Sequence, residues 1–454
     1  MSELKGTEGP VYTPESVEYD EQRGGYQRVT AHRPALVVAA TGAEDVRAAV
    51  EHAAREGLRV AVQAGGHGLG EPLEGGVLIS TRRMSGVRVD PVAGTAWVEA
   101  GASWGRVIEA AAPHGLAPLS GSSPGVGAVP YTLGGGVGLM ARRYGFAADH
   151  VRRLTVVTAD GRIRDVTPDT EPGLFWALRG GGGAFGVVTG MEIGLVPVER
   201  LYGGGLYFDV ERVPGVLTAW HRWTATVPEE TTSAVALLPM PDLPMIPEPL
   251  RGRYVAQIQI AHLGAEEEGR RLTEPLRALG PALRDTLREL PYTESATIFD
   301  EPDHPHAYLS RNRLLRDLDP DTLATLLATT GPSAPVMTVV QFRHLGGALA
   351  RPPRVPNAIG HRGAARYSLN VLSPVEPGGE ESARAAHRAA VAPFEREAVG
   401  TLLNFSYGPL DKDTVRSAFE PGDHERLARL KARLDPRDLL HGAWPIGSVQ
   451  ESRG

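Results

Sequence analysis

At 454 residues the chain exceeds what one hydrophobic core ordinarily supports, so two domains, or one domain with a large insertion, are expected. A hydrophobic fraction of 42% and a charged fraction of 22% are globular values, and a net charge of −7 without a basic run argues against nucleic acid as the main partner. Zero cysteines exclude disulfides, thiolate metal sites, thiol nucleophiles and any cysteinyl cofactor link.

No apolar stretch reaches the length of a membrane span. The start, Met1-Ser2-Glu3-Leu4-Lys5-Gly6, is polar and acidic rather than basic and then apolar. A cytoplasmic protein without a membrane partner is the expectation.

Residues 1–34 are polar and punctuated by Pro and Gly, with some helix expected from Tyr19 to Gln27. Ala35 to Ala40 reads as a buried strand, and Thr41-Gly42-Ala43-Glu44 as a capping box opening a helix to about Glu56. Val46, Ala49, Val50 and Ala53 give that helix an apolar stripe. The run Val60-Ala61-Val62 then leads into Gln63-Ala64-Gly65-Gly66-His67-Gly68-Leu69-Gly70, a strand entering a glycine-rich loop that presents one imidazole. Without Cβ atoms such a loop lets backbone approach a large flat ligand. The same pattern also suits a histidine that merely hydrogen-bonds within its turn.

Short strands follow at Gly76–Ser80, Val87–Val89 and Thr95–Ala100, then a helix from Trp104 to His114. A second glycine-rich stretch, residues 121–138, contains Ser123-Pro124-Gly125-Val126-Gly127 and Leu133-Gly134-Gly135-Gly136-Val137-Gly138, and is closed by Arg142-Arg143-Tyr144-Gly145 before Asp149. Leu154–Thr158 turns at Asp160-Gly161 into Ile163–Val166, a hairpin by its turn residues. A short helix at Leu174–Leu178 ends in the third cluster, Arg179 to Val188, which holds Gly180, Gly181, Gly182, Gly183 and Gly186. These clusters either wrap backbone around a ligand or form a succession of tight turns.

Beyond residue 200 the glycine clusters are read as ending. Tyr254–Ile260 and Met337–Phe342 alternate as antiparallel strands do, helices are expected near Glu266–Leu279, Asp321–Thr330 and Glu380–Glu397, and residues 239–249 and 351–356 are Pro-rich connections. An amphipathic helix from Asp423 to Leu434 stops at Asp435-Pro436.

No cluster has the GxGxxG spacing at a first strand-to-helix turn with an acidic residue about twenty positions on, as a dinucleotide fold requires, and no P-loop is present. Asp303-His304-Pro305-His306 lacks a further clustered ligand and reads as a polar loop rather than a metal site.

The order GGH, GVG with LGGGVG and RRYG, LRGGGGAFGVVT, LNFSYG and RLARLKARLDPRDLL resembles the berberine bridge enzyme-like FAD-linked oxidases of the vanillyl-alcohol-oxidase (PCMH-type) group, over roughly residues 35–445. The resemblance implies an α+β fold. Its PCMH-type FAD-binding domain of two α+β subdomains would come from residues 1–200 and the C-terminal segment 396–454, with a substrate domain built on a large antiparallel sheet inserted at 201–395. It places His67 where the family attaches FAD covalently, within Ala64, Gly65, Gly66, Gly68 and Leu69. Neutral imidazole is a competent nucleophile toward an electrophilic ring methyl. Where relatives carry a second, cysteinyl link this chain has Ser123, so a single bond is implied. Val126 matches the position where a small residue leaves room for oxygen.

By the same resemblance Gly127, Gly134, Gly135, Gly136, Gly138, Tyr144 and Asn404 line the cofactor, with Gly182, Gly183, Gly186 and Val188 on the adenine side; backbone amides would carry the phosphate charge. The chain departs where the family often places a carboxylate and a tyrosine: Gln341 precedes Leu345-Gly346-Gly347, and Leu402 precedes Asn404. Gln and Leu are not bases. Tyr407, Tyr367, His344, Arg343 and Gln341 are the candidates for the chemistry, an arginine beside a phenol being able to favour phenolate. The implied reaction is oxidation of a small molecule, such as a secondary metabolite, with O2 as acceptor and H2O2 as product, by a monomer or homodimer in a tailoring or self-resistance role. The alternatives are a flavin-dependent oxygenase on the same fold and a drug-sequestering flavoprotein with little turnover.

Overall fold

The computed structural model describes residues 4–447, so the polar start read at Met1-Ser2-Glu3 lies outside the described residues. Among the described residues no helix is long and apolar enough to cross a membrane. Mixed helix and sheet form three sheets.

A four-stranded sheet runs in the order Val11–Tyr12, Leu36–Ala39, Val77–Ser80, Val60–Gln63, and its last three strands are parallel. Helix Ala43–Glu56 covers it, burying Val46, Ala49, Val50 and Ala53 as their spacing requires. The helix begins differently from the expected capping box. Its N-cap is Gly42, and Asp45 rather than Glu44 folds back, accepting the Thr41 hydroxyl and amide at 2.7 Å each. Asp45 also accepts the amides of Glu8 and Gly9, so the shorter carboxylate closes the helix and pins the lead-in segment.

A five-stranded antiparallel sheet takes the order Val87–Asp90, Thr95–Glu99, Val187–Gly194, Val151–Val157, Ile163–Val166. The expected hairpin is its edge. Helix Trp104–Ala111 and the C-terminal helix Pro421–Leu434 share this sheet's core, where Trp104 and Phe175 meet Val415, Leu427 and Ile446.

The third sheet has nine strands and lies between residues 200 and 400. Its path runs Arg284–Asp285, Arg200–Asp209, Tyr254–His262, Thr231–Pro239, Val339–His344, Tyr367–Pro374, Tyr308–Leu315, Ala398–Gly400, with the ninth strand, Arg288–Pro291, also pairing Arg200–Asp209. Helices Val216–Thr224, Glu266–Arg277, Pro320–Thr329 and Glu380–Val391 cover one face, contributing Trp220, Leu276, Leu326 and Val391 to a core with Phe342, Leu369 and Val371. Glycine clustering does not end at residue 200. Gly203, Gly204 and Gly205 sit inside a strand, and Gly204 admits no side chain, with φ +142° and an added Cβ that would lie 2.4 Å from the Thr286 carbonyl.

The opposite face of this sheet is polar. Paired positions share a face, so Tyr207, Gln257, Ala236, Gln341, Asn370 and Asn312 form one row across it. The next row carries Gly205, Gln259, Ala234, Arg343 and Ser368.

After Leu434 the chain returns to the first sheet. The buried pair Lys431 and Asp435 anchors the turn, Asp435 accepting the amides of Leu439 and Leu440 at 2.8 Å. Val60 and His441 then exchange backbone bonds with this segment through the Leu439 and Val60 carbonyls.

Candidate active site

The strand Val60–Gln63 ends at the His67 loop. The loop is held from outside by the N-terminal segment: Tyr26 and Gln27 donate their amides to the carbonyls of Gly65 and Gly66 at 2.9 and 3.0 Å. Position 66 requires glycine, because φ is +71° and a Cβ would lie 2.5 Å from Gly25 Cα. Tyr26 then lays its ring on the His67 imidazole, with centroids 3.9 Å apart and planes 11° from parallel. Tyr308 donates its hydroxyl to the His67 carbonyl at 2.7 Å.

Both ring nitrogens of His67 are buried without a hydrogen-bond partner. Burial, with a smaller push from His306, lowers its pKa to about 4, so the ring is neutral at physiological pH. An unpartnered neutral imidazole on a glycine loop is available to a ligand; the buried His52 of the helix Ala43–Glu56 also lacks partners, so the loop setting is what distinguishes His67. An added Cβ at Gly125 would lie 3.7 Å from His67 Nε2, which places the Ser123–Gly127 loop beside the ring.

Backbone donors concentrate here. Among the described residues the amides of 65–70 and of Gly121, Ser122, Ser123 and Gly125 donate to no protein acceptor. Such amide-rich turns cradle phosphate without a cation. Gly136 at φ +76° and Gly138 have no room for Cβ atoms, which would lie 2.4 Å from the Tyr131 ring and 1.9 Å from the Ser120 carbonyl.

The C-terminal part closes the cradle. Asn404 donates to the Tyr131 carbonyl at 2.8 Å and lies so close to Gly134 that a Cβ there would be 2.3 Å from its Oδ1. Trp444 packs on Gly182 in the same way. The Oδ1 of Asn404, the hydroxyl of Tyr131 and the indole nitrogen of Trp444 are all buried and unpartnered. These orphaned polar atoms, with the free amides and the neutral imidazole, fit a large ligand bearing phosphates and a polar ring, as FAD does.

The remaining expected cofactor positions distribute around this cradle. The Ala64 carbonyl accepts Arg82 Nε and the Leu69 carbonyl accepts the Gly408 amide, while Gly68 is exposed. Val126 is partly buried against the second sheet's core, and Gly127 caps the helix Ala128–Leu133. Gly135 sits at φ +109° against Ile359. The Tyr144 carbonyl receives His150. Gly183 has open space where its Cβ would be, while Gly186 and Val188 pack on or pair with Val156.

The polar sheet face lies over the cradle and divides the chemical candidates. Gln341 and Arg343 point to it. Tyr367 and His344 do not: their rings stack at 5.7 Å in the core on the far face, where Tyr367 also bonds Thr224 at 2.7 Å. Alternation along Val339–His344 is the cause, because Val340, Phe342 and His344 share the helix-covered side. Tyr407 is on the cradle side, edge-on to Tyr308 at 5.1 Å. The phenolate expected from an adjacent arginine does not form there. Arg343 does pull the Tyr407 pKa down, but burial and Glu301 outweigh it and keep the phenol protonated.

Several site residues escaped the sequence reading. Tyr26 sits in the lead-in segment with no periodic signal, and Tyr308 begins a Tyr-x-Ser-x-Asn alternation that marked a strand face in plain sight. The stretch Asp303-His304-Pro305-His306, read as a polar loop, crosses this site: Arg28 donates to the His306 carbonyl, and the His306 ring lies 4.8 Å from Tyr308.

Residues 34–167 match a family model described as an FAD binding domain. Over its whole length the chain is similar to (R)-6-hydroxynicotine oxidase of Paenarthrobacter nicotinovorans, with 26% identity covering 97% of this chain and 96% of that protein. A berberine bridge enzyme-like protein of Cynodon dactylon, Cyn d 4, is 38% identical over 37% of this chain and 33% of its own length. Among solved structures, the xylooligosaccharide oxidase of Myceliophthora thermophila superposes with a TM-score of 0.85 at 21% identity, covering 97% of this chain and 98% of that one. The chain is thus an FAD-linked oxidoreductase with the fold of the berberine bridge enzyme-like family.

Proposed function

We propose that this protein is an oxidase that holds FAD through one covalent bond to His67 and passes an electron pair from a small organic substrate to O2, giving H2O2. The observation that carries the reading is the buried His67 imidazole with neither nitrogen engaged, seated among free backbone amides. Residues 1–200 with 396–454 would form the FAD-binding domain, and residues 201–395 the substrate domain.

Bound FAD supplies the two-electron acceptor. The chain's own residues do the rest. Tyr26 and Tyr308 fix the plane and backbone of His67, and burial keeps its nitrogen unprotonated and nucleophilic. The glycine loops offer amides to the pyrophosphate charge, while Asn404 and Trp444 present polar atoms to the ligand's edges. Val126 leaves a small side chain beside the loop, where oxygen must approach.

No carboxylate stands at Gln341, and the Tyr407 phenol holds its proton. A substrate that releases its proton readily, such as a hydroquinone or a reactive natural-product intermediate, suits such a site better than an unactivated alcohol. A role in tailoring or self-resistance toward secondary metabolites follows from that preference. The test is a screen of phenolic, hydroquinone and amine substrates by peroxide release, with oxygen uptake measured in parallel. Equal uptake and peroxide release supports an oxidase; uptake without peroxide, with labelled oxygen in the product, contradicts it.

A further inference from the structure

Buried charges in proteins are ordinarily paired. Arg343 is 7% exposed, yet its guanidinium makes only one hydrogen bond to a described residue, from Nε to Gln341 Oε1 at 2.7 Å. The rings of Phe299 and Phe405 each lie 4.7 Å from its central carbon. The nearest carboxylate, Glu301, stops 4.0 Å from Nη2, beyond hydrogen-bond reach, and already accepts the Ser122 hydroxyl at 2.9 Å. The other titratable groups facing Arg343, the phenols of Tyr131 and Tyr407, are held neutral by burial. The charge thus has one carboxylate at the edge of ion-pair distance, and its Nη groups donate to no described residue.

A second orphan lies on the same face. Asn370 sits opposite Gln341 in the sheet, and its Oδ1 is buried without a donor. We propose that Arg343 anchors a carboxylate of the substrate, with Asn370 Oδ1 accepting a hydrogen bond from a donor elsewhere on the same molecule. This rests on reading the polar sheet face as the substrate side of the flavin site. A planar guanidinium edge matches a carboxylate in a two-point contact, and flanking aromatic rings favour a ligand with a flat apolar body.

The inference also accounts for the departure at Gln341. A glutamate there would lie at salt-bridge distance from Arg343 and consume its charge. The neutral amide orients the guanidinium while leaving that charge for a ligand. Gln341 is thus a positioning residue.

The test titrates the purified holoprotein with benzoate and with its neutral isostere benzamide, following both the flavin absorbance and the thermal midpoint. Benzoate is expected to give a saturable change that weakens with added salt, and benzamide to bind about tenfold more weakly or worse, the scale of one charge-assisted hydrogen bond. Arg343→Gln is expected to lose the preference. Gln341→Glu, close in shape to the native side chain, is expected to lose benzoate binding by pairing internally with Arg343. Benzamide binding as tightly as benzoate, no saturable benzoate response, or undiminished benzoate binding in Gln341→Glu each overturns the proposal. A protein that takes up no FAD would instead remove the flavin reading, while the thermal midpoint still reports benzoate binding separately.

Discussion

The ring of Tyr26 lies 3.9 Å from the imidazole of His67 and within 11° of parallel to it. The contact spans the lead-in segment and the first glycine loop, and a backbone bond from the Tyr26 amide to the Gly65 carbonyl locks the two together. The consequence is a nucleophile whose ring cannot rotate freely.

Tyr26→Ala should therefore slow covalent attachment of FAD, while Tyr26→Phe, which keeps the stacked face and loses only the hydroxyl bond to the Pro302 carbonyl, should not. Aromatic stacking contributes about 0.5–1.5 kcal/mol, so the alanine variant should be slowed about three- to tenfold. The check is a time course of denaturation-resistant flavin after adding FAD to apoprotein.

Acid should destabilise the fold through buried histidines before carboxylates matter. Burial holds His32 and His387 near pKa 4, below their ordinary 6.5, and His344 near 3. Each is neutral in the folded chain while the unfolded chain takes up a proton below pH 6.5, so stability is constant above that pH and falls as pH drops toward 4. His32 is the sharpest case, because its Nδ1 accepts the Leu73 amide at 2.8 Å and protonation would cost that bond. The shift to about 4 is worth at most about 3.4 kcal/mol and the larger shift of His344 at most about 5 kcal/mol. Urea midpoints measured from pH 8 to 4.5 should show a plateau and then a decline beginning near 6.5.

Asp435→Ala should be among the most damaging single changes. It removes the nearest partner of Lys431, which keeps only Asp438 at 3.3 Å and the Leu440 carbonyl at 2.9 Å, and leaves the buried amides of Leu439 and Leu440 unpaired, at a cost of about 3 kcal/mol. The same turn carries Trp444 to Gly182, so flavin retention on gel filtration should fall along with the thermal midpoint.

Two glycines should respond oppositely to alanine. Gly136 combines φ +76° with a Cβ position 2.4 Å from the Tyr131 ring, whereas Gly183 has nothing within 4 Å. Gly136→Ala should cost stability and flavin content together, and Gly183→Ala should change stability by less than about 0.5 kcal/mol. Thermal midpoints and flavin-to-protein absorbance ratios decide both.

Much of this architecture was legible before the structure. Val60–Val62 running into a glycine loop, the Asp160-Gly161 hairpin and the apolar stripe Val46, Ala49, Val50, Ala53 each carry a local signal strong enough to survive tertiary context. Other features were not local. Gln341 and His344 are three residues apart on one strand, and only the sheet's covered side decides that one faces the cradle and the other the core. Tyr26 and Glu301 reach the site through long-range packing with no motif around them. The capping box failed by one residue because Asp45 reaches backbone that Glu44, further round the helix, does not.

The most direct test of the central claim is an absorption spectrum of the purified protein before and after acid precipitation, beside His67→Ala. The account predicts that wild-type flavin stays in the pellet and that the variant releases it to the supernatant. Wild-type flavin in the supernatant would contradict covalent attachment at His67 and leave a noncovalent flavoenzyme.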